Sequence, residues 1–429
     1  MGRGIFKGLL EILANKGDAL PDKRHTGRNF RYRLSDAIKC AFGVFFFQYP
    51  SLLCFQKKMQ EKLRRNNMGS IFGVGKIPSD PQIRTLMDGI PPDRFGAAFN
   101  ESLRLADEHR ALDSYRVLDG GVLIALDGTW YYLSEKIHCP RCLHKTKGGV
   151  TSYYHTVLAA TIVKPGDTTV LPVMGEMIGN GDGQEKQDCE INAAKRWLDK
   201  HAREYAWLKP TLLGDDLFSH YPMCKAVTDA GMSFIFTCKE ESHRWLTETV
   251  KNSYLQEHTR REWNGRHHLV YRYRWLNGAD IRDHRETLKV NYVYWEIENE
   301  EKGKVTYRNS WITDKAVGEH NVAHIAACGR SRWKIENEHN NVLKNHGYNL
   351  EHNFGHGQEY ASEMFCLLNL LAFLWHGILW LADEGYRNAR AWAGRRDEFF
   401  NELRAALRWA FHESWEQMMI RAGPEEPPG

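Results

Sequence analysis

Two apolar runs in this chain each stop on an aspartate, and this constrains the fold more than any other feature. Val122-Leu123-Ile124-Ala125-Leu126 ends at Asp127, and Thr211-Leu212-Leu213-Gly214 ends at Asp215. Short continuous apolar runs with polar ends read as strands buried on both faces of a helix-covered sheet. A third acid, Glu336, lies in Arg332-Trp333-Lys334-Ile335-Glu336, which reads as helix. Two strand carboxylates and one from a later helix form a hard oxygen donor set suited to divalent cations.

The rest of the chain fits around these acids. Residues 1–115 read as helical, with helices expected over Leu34 to Phe42 and Phe95 to Arg110. After Gly120-Gly121 come a strand ending near Asp127, a second at His155 to Val163 and a third at Thr168 to Ile178. Pro165-Gly166-Asp167 supplies a turn between the last two, which predicts a hairpin. A helix over 185–208, the strand ending at Asp215, a helix over 220–230 and a strand at Phe234-Ile235-Phe236 follow. Residues 268–275, 290–297 and 305–312 then alternate with period two, the pattern of antiparallel strands, and read as an inserted sheet. Long helices are expected at about 320–346, 359–383 and 396–418. The resulting division is a helical, basic, DNA-binding region at 1–115 and a core in two parts, 116–236 and 313–385. A β insertion at 237–312 separates the two parts, and a C-terminal helix and tail occupy 386–429. Without the insertion the order is three strands, helix, strand, helix, strand, helix. That is the order of a ribonuclease H-like α/β fold with a mixed sheet.

Charge is unevenly spread. Residues 1–66 carry 14 Lys/Arg against 5 Asp/Glu, while the whole chain is at +4, so the remainder lies near −5. A basic front end on a carboxylate-bearing body suits a polyanionic partner. Arg28, Arg31 and Arg33 alternate with Asn29, Phe30 and Tyr32, as a backbone-tracking DNA contact would. Nine cysteines, mostly in apolar contexts, point to reduced thiols and a cytoplasmic protein. No secretory signal is evident. The apolar stretch 364–382 is interrupted by Asn369, His376 and Gly377 and reads as a buried core helix rather than a membrane span.

Asp216 competes with Asp215, but Asp215 directly continues the apolar strand. Glu338 competes with Glu336 and lies about 200° around a helix from it, so the two cannot share a site. Arg332, Asn340 and Lys344 continue the Glu336 face at helical spacing. This stripe reads either as a phosphate-holding surface or, at Arg332 and Glu336, as an intrahelical ion pair.

Leu126-Asp127-Gly128-Thr129, Leu213-Gly214-Asp215-Asp216-Leu217-Phe218 and Arg332-Trp333-Lys334-Ile335-Glu336-Asn337-Glu338 together resemble the DDE transposases of bacterial insertion sequences. The likeness is particularly to the group with a β insertion before the last acid. The resemblance spans roughly residues 120–380. That group carries Tyr-x-x-Arg-x-x-x-Glu-x-x-x-x-x-x-Lys. Arg332 and Glu336 keep the spacing, Gly329 stands where the Tyr would be, and Lys344 falls one residue late.

The resemblance implies catalytic, metal-binding roles for Asp127, Asp215 and Glu336, with two Mg²⁺ ions (or Mn²⁺ in substitution). It implies cleavage of transposon inverted-repeat ends in double-stranded DNA and joining of the 3′-OH to target DNA. It also implies a homodimer on DNA in the bacterial cytoplasm, associated with the nucleoid, and Arg332, Asn340 and Lys344 at the DNA. Two alternatives are a catalytically silent transposase-derived DNA-binding protein and a host structure-specific nuclease on the same fold.

Cys139 and Cys142 form half of a zinc site within His138-Cys139-Pro140-Arg141-Cys142-Leu143-His144, with Cys189 or His155 as completing ligands. A reduced thiol pair in a β-turn is the alternative. Trp275, Trp295 and Trp311 in the insertion are either base-stacking or sheet-packing residues. Gly355 and Gly357 permit close approach of backbone to a ligand or within an interhelical loop. Phe72-Gly73-Val74-Gly75-Lys76 lacks the spacing of a phosphate-binding loop, which argues against a nucleotide partner.

Overall fold

The computed structural model of the chain describes residues 4–22, 24, 31–179 and 188–424. It is a mixed α/β protein built on one ten-stranded sheet. The strands are β1 (Leu123–Ser134), β2 (Leu143–Lys147), β3 (Val150–Val163), β4 (Leu171–Ile178), β5 (Thr211–Gly214), β6 (Ser233–Thr237), β7 (Gln256–Trp263), β8 (His268–Asp280), β9 (Lys289–Asn299) and β10 (Lys304–Thr313). Their order is β2-β3-β1-β5-β6-β10-β9-β8-β7, with β4 also on β3. β1 runs antiparallel to β3 and parallel to β5, β3 pairs β4 antiparallel, and β5 pairs β6 parallel. The Pro165-Gly166 turn thus closes the hairpin its sequence predicts.

The insertion strands do not make a sheet of their own. Trp311, Ile312 and Thr313 of β10 pair antiparallel with Thr237, Phe236 and Ile235 of β6. Ser310 Oγ donates to the Cys238 carbonyl, and Thr313 Oγ1 donates to the Phe234 carbonyl at 2.7 Å. β6 would otherwise end the sheet as an open edge, which the insertion covers. Period-two alternation reveals strands but not the edge they join.

Helices cover this sheet and build a second layer. The amino-terminal ones are α1 (Ile5–Ala19), α2 (Leu34–Phe46), α3 (Leu52–Met59), α4 (Lys62–Phe72), α5 (Asp80–Asp88) and α6 (Ala97–Glu108). Between strands lie α7 (Glu190–Tyr205), α8 (Tyr221–Asp229) and α9 (Arg244–Lys251). After β10 come α10 (Val322–Arg330), α11 (Asn341–Asn345), α12 (Ala361–Ala382), α13 (Glu384–Ala393), α14 (Arg396–Trp409) and α15 (Trp415–Ala422). One contiguous buried cluster runs from Ile5 to Ala422, so the amino-terminal helices share the core of the sheet. α12 is the apolar stretch that has the length of a membrane span, and it is buried inside the protein against α2, α5, α6 and β4.

The expected helix at 396–418 is two helices, because Asn67 of α4 captures the break. Its Nδ2 donates to the Leu407 and Ala410 carbonyls, and its Oδ1 accepts from His412 N at 2.8 Å. Ser414 then caps α15. The cause of the break lies more than 300 residues away in sequence, beyond the reach of periodicity.

A second long-range cap fixes the start of α12. Asp88, at the end of α5, accepts the N–H groups of Gln358, Glu359, Tyr360 and Ala361 at 2.9–3.2 Å. A Cβ at Gly357, where φ is +68°, would lie 2.1 Å from the Asp88 carboxylate. The close approach that this glycine permits is therefore to Asp88. Partial burial pushes the Asp88 pKa up, but the backbone donors outweigh it and hold the carboxyl below its ordinary value. A lowered pKa means stability that is present above the unfolded-state value and lost as the pH falls through the folded one. Asp88→Ala is expected to cost about 1–2 kcal/mol at pH 7 by urea unfolding. The difference should shrink below about pH 4, and an equal cost at pH 3 would contradict the cap.

Candidate active site

Register brings the two aspartates together. Ala125 of β1 sits opposite Leu213 of β5. Asp127 follows two residues later within β1, which runs on to Ser134 rather than ending near Asp127, and Asp215 follows two residues later, just beyond the end of β5. Asp127 is partly buried, and Asn340 Nδ2 donates to its Oδ2 at 3.0 Å. Burial pushes the Asp127 pKa up to about 7, helped by the negative charges of Glu190, Glu336 and Asp215 and opposed by Arg332.

The expected helix at 320–346 is not uniform. α10 passes through a 3₁₀ turn at Ser331–Trp333 and a π-helical turn at Ile335–Asn340 before α11. Such π turns occur frequently at functional sites. Glu336 lies in the π turn, half exposed, and accepts from Arg332 Nη2 at 2.6 Å. Glu338 points elsewhere and lines a cavity of about 160 Å³ with Thr168, Phe373, Arg390 and Arg396.

Asn340 was expected at the DNA surface, but it is buried and holds Asp127. Its Oδ1 accepts from His339 Nδ1 at 2.9 Å. Burial depresses the His339 pKa to about 4, so the ring is neutral. The neutral ring donates through Nδ1, which leaves the Asn340 amide to face Asp127. Lys344 leaves the stripe and pairs with Glu351 at 2.9 Å.

The choice between Asp215 and Asp216 is visible in the hydrogen bonds. Asp216 is occupied: Lys239 N donates to Oδ1 at 2.6 Å, Ser242 Oγ donates to Oδ2, and His243 lies 3.6 Å away. Among the described residues Asp215 takes a local turn bond from Leu217 N, and its charge raises the pKa of both Asp127 and Glu190.

Sequence reasoning missed a fourth acid. Glu190, the first residue of α7, accepts the Gly128 N–H through Oε1 at 3.0 Å. β5 has ended at this level, so the carboxylate occupies the gap beside β1. A Cβ on residue 128 would come within 2.8 Å of Glu190, and the glycine after Asp127 was the available signal. Burial raises the Glu190 pKa, against the Gly128 N–H, and Asp215 raises it further. Asp127 thus feels three further carboxylates, Glu190, Glu336 and Asp215, and the opposing guanidinium of Arg332.

A groove of about 500 Å³ opens beside Asp215, lined by Lys239, Asn309, Arg330, Arg332 and the exposed Trp333. Gly329 also lines it. A Cβ there would meet the Trp311 indole at 2.7 Å, so Trp311 takes the space a larger residue at 329 would need. Trp275, Trp295 and Trp311 are all buried and pack the sheet, which removes them as base-stacking candidates. Arg31 and Arg33 are exposed just before and at the start of α2, whereas Arg28 lies outside the described residues.

Cys139 and Cys142 lie in the turn between β1 and β2, and the ligands beside them are His155 of β3 and His356 of the loop before α12. The four ligand atoms all fall within 4.8 Å of one another and are buried, a group that could hold a metal ion. Cys189 is exposed and separate from it, and His138 stacks on Tyr153. His356 has no sequence signal beyond its residue type, because the fold alone brings it there.

No protein-family model matches this chain, and no curated protein matches it in sequence.

Between about pH 4 and 7 the folded protein holds a proton on Asp127 that the unfolded chain has released. Stability of the metal-free protein therefore falls as the pH rises through that window. Asp127→Asn should unfold at higher urea than the unsubstituted chain at pH 8, both without metal, with the difference vanishing toward pH 4. Equal midpoints at pH 8 would contradict the crowded-carboxylate geometry.

Proposed function

We propose that this protein is a DDE-type DNA transposase with a ribonuclease H-like core, cutting transposon ends and joining them to target DNA. One observation carries the reading: Asp127 lies on β1, Asp215 directly follows its parallel neighbour β5, and the charges of Glu336 and Asp215 both reach Asp127 and raise its pKa. The strand order β4-β3-β1-β5-β6, antiparallel in its first three strands and parallel beyond, supports the core assignment.

The donor set fits hard divalent cations, because carboxylate oxygens are the ligands such ions take, and the charges of Glu190, Glu336 and Asp215 add to burial in raising the Asp127 pKa against Arg332. Asp127, Asp215 and Glu336 would hold Mg²⁺ or Mn²⁺, which when bound supplies charge neutralisation at the phosphate and activation of the attacking oxygen. The chain's own residues supply the rest. His339 and Asn340 fix the Asp127 carboxylate. Arg332 holds Glu336 and faces the groove, where it can neutralise a phosphate. Lys239, Arg330 and Trp333 give the groove a basic and aromatic wall for the DNA backbone and an unpaired base.

In the first step water attacks phosphorus, the P–O3′ bond breaks, and a 3′-OH is freed. In the second that 3′-OH attacks a phosphodiester of the target and displaces its 3′ oxygen. Two ends must be processed together, so the working form is a homodimer on DNA in the bacterial cytoplasm.

The test uses duplex DNA from the two flanks of the coding region, where this reading predicts inverted repeats. Asp127→Asn, Asp215→Asn and Glu336→Gln should each keep duplex binding and lower Mg²⁺-dependent cleavage by about 10²–10³-fold or more. Full cleavage by any one of them removes that residue from the mechanism. Duplex binding by the unsubstituted chain, without cleavage in Mg²⁺ or Mn²⁺, would overturn the enzymatic reading in favour of a silent binding protein.

A further inference from the structure

A tetrahedral zinc ion with bonds of about 2.3 Å to sulfur and about 2.0 Å to nitrogen sets its ligand edges. They come to about 3.8 Å between two sulfurs and about 3.5 Å between sulfur and nitrogen. The Cys139 and Cys142 Sγ atoms are 3.9 Å apart. His155 Nε2 lies 3.4 Å from each sulfur, and His356 Nε2 lies 3.4 Å from Cys142 Sγ. These spacings match the ion's polyhedron, and two thiolates with two imidazoles are the ligand types zinc prefers.

The cluster is also closed. All four residues are buried, and the Tyr131 and Tyr132 rings pack against His155 and His356, with Tyr132 4.4 Å from His356. An enclosed four-ligand set leaves no position for water or substrate, which separates structural from catalytic zinc.

We propose that Cys139, Cys142, His155 and His356 form a structural zinc site that pins the loop after the Glu336 helix to β3 and to the turn that follows the strand carrying Asp127. His155 sits opposite Tyr132 of β1, and Cys142 and His356 are 214 residues apart. Beside the cluster Arg141 donates through Nε and Nη2 to the buried Glu363 of α12. Asp88 binds the backbone of the same loop two residues beyond His356. The zinc is the third fastening of a segment that joins the last acid's helix to the core helix. The inference rests on the cluster's own geometry and not on the proposed reaction.

The test is zinc content of the purified full-length chain, with cobalt(II) as a spectroscopic probe. Roughly one zinc per chain is expected, and Co²⁺ in its place should give the intense visible bands of a tetrahedral site and a sulfur-to-cobalt charge-transfer band. Cys142→Ser and His356→Ala should each lose stoichiometric zinc. If either variant fails to fold, a mercurial titration of the unsubstituted chain replaces it and should release zinc in step with thiol modification. A chain that neither contains zinc nor takes up Zn²⁺ or Co²⁺ overturns the proposal. So does one whose zinc survives both substitutions, or survives full thiol modification.

Discussion

Parallel pairing between β1 and β5 is the constraint on which the acid cluster depends. It brings the chain at Asp127 and Asp215 side by side, and its last pair is Ala125 with Leu213, beyond which the Gly128 N–H is left for Glu190. Gathering negative charge in a partly buried place is unfavourable, and the raised Asp127 pKa expresses that cost. The fold bears it with neutral supports, Asn340 and His339, and with the charge of Arg332. An arrangement that neutralised the acids fully would leave nothing to attract a metal ion.

The sheet extends away from this point on both sides for different reasons. Toward β3 and β4 it is antiparallel and buried, and it anchors α7 and α12. Toward β10 it is closed by the insertion, whose Trp311 fills the space beside Gly329 and shapes the groove wall. The insertion therefore borders the acid cluster through β6 and α10, rather than hanging from the core as a separate sheet.

What the sequence made legible was local. Apolar runs ending in Asp127 and Asp215, the Pro165-Gly166 turn and the Arg332–Glu336 spacing are all short-range patterns, and each has its counterpart in the structure, although β1 runs past Asp127 to Ser134. The features that escaped depend on distant partners. Glu190 lies beyond a segment with little periodicity, His356 reaches the cysteines only through the fold, and Asn67 breaks a helix from across the core. Asn340 lay on the right helical stripe, but only the packed structure turns its amide inward onto Asp127. The same physics explains the π turn, since no residue type at 335–340 announces a widened helix.

The central claim is that the Asp127–Asp215–Glu336 cluster is a divalent-cation site. Crystals grown with Mn²⁺ and measured at the manganese absorption edge test it most directly. The account predicts anomalous density within bonding distance of both Asp127 and Asp215. Manganese absent from the cluster at millimolar concentration would contradict it, as would manganese found only at other acidic groups.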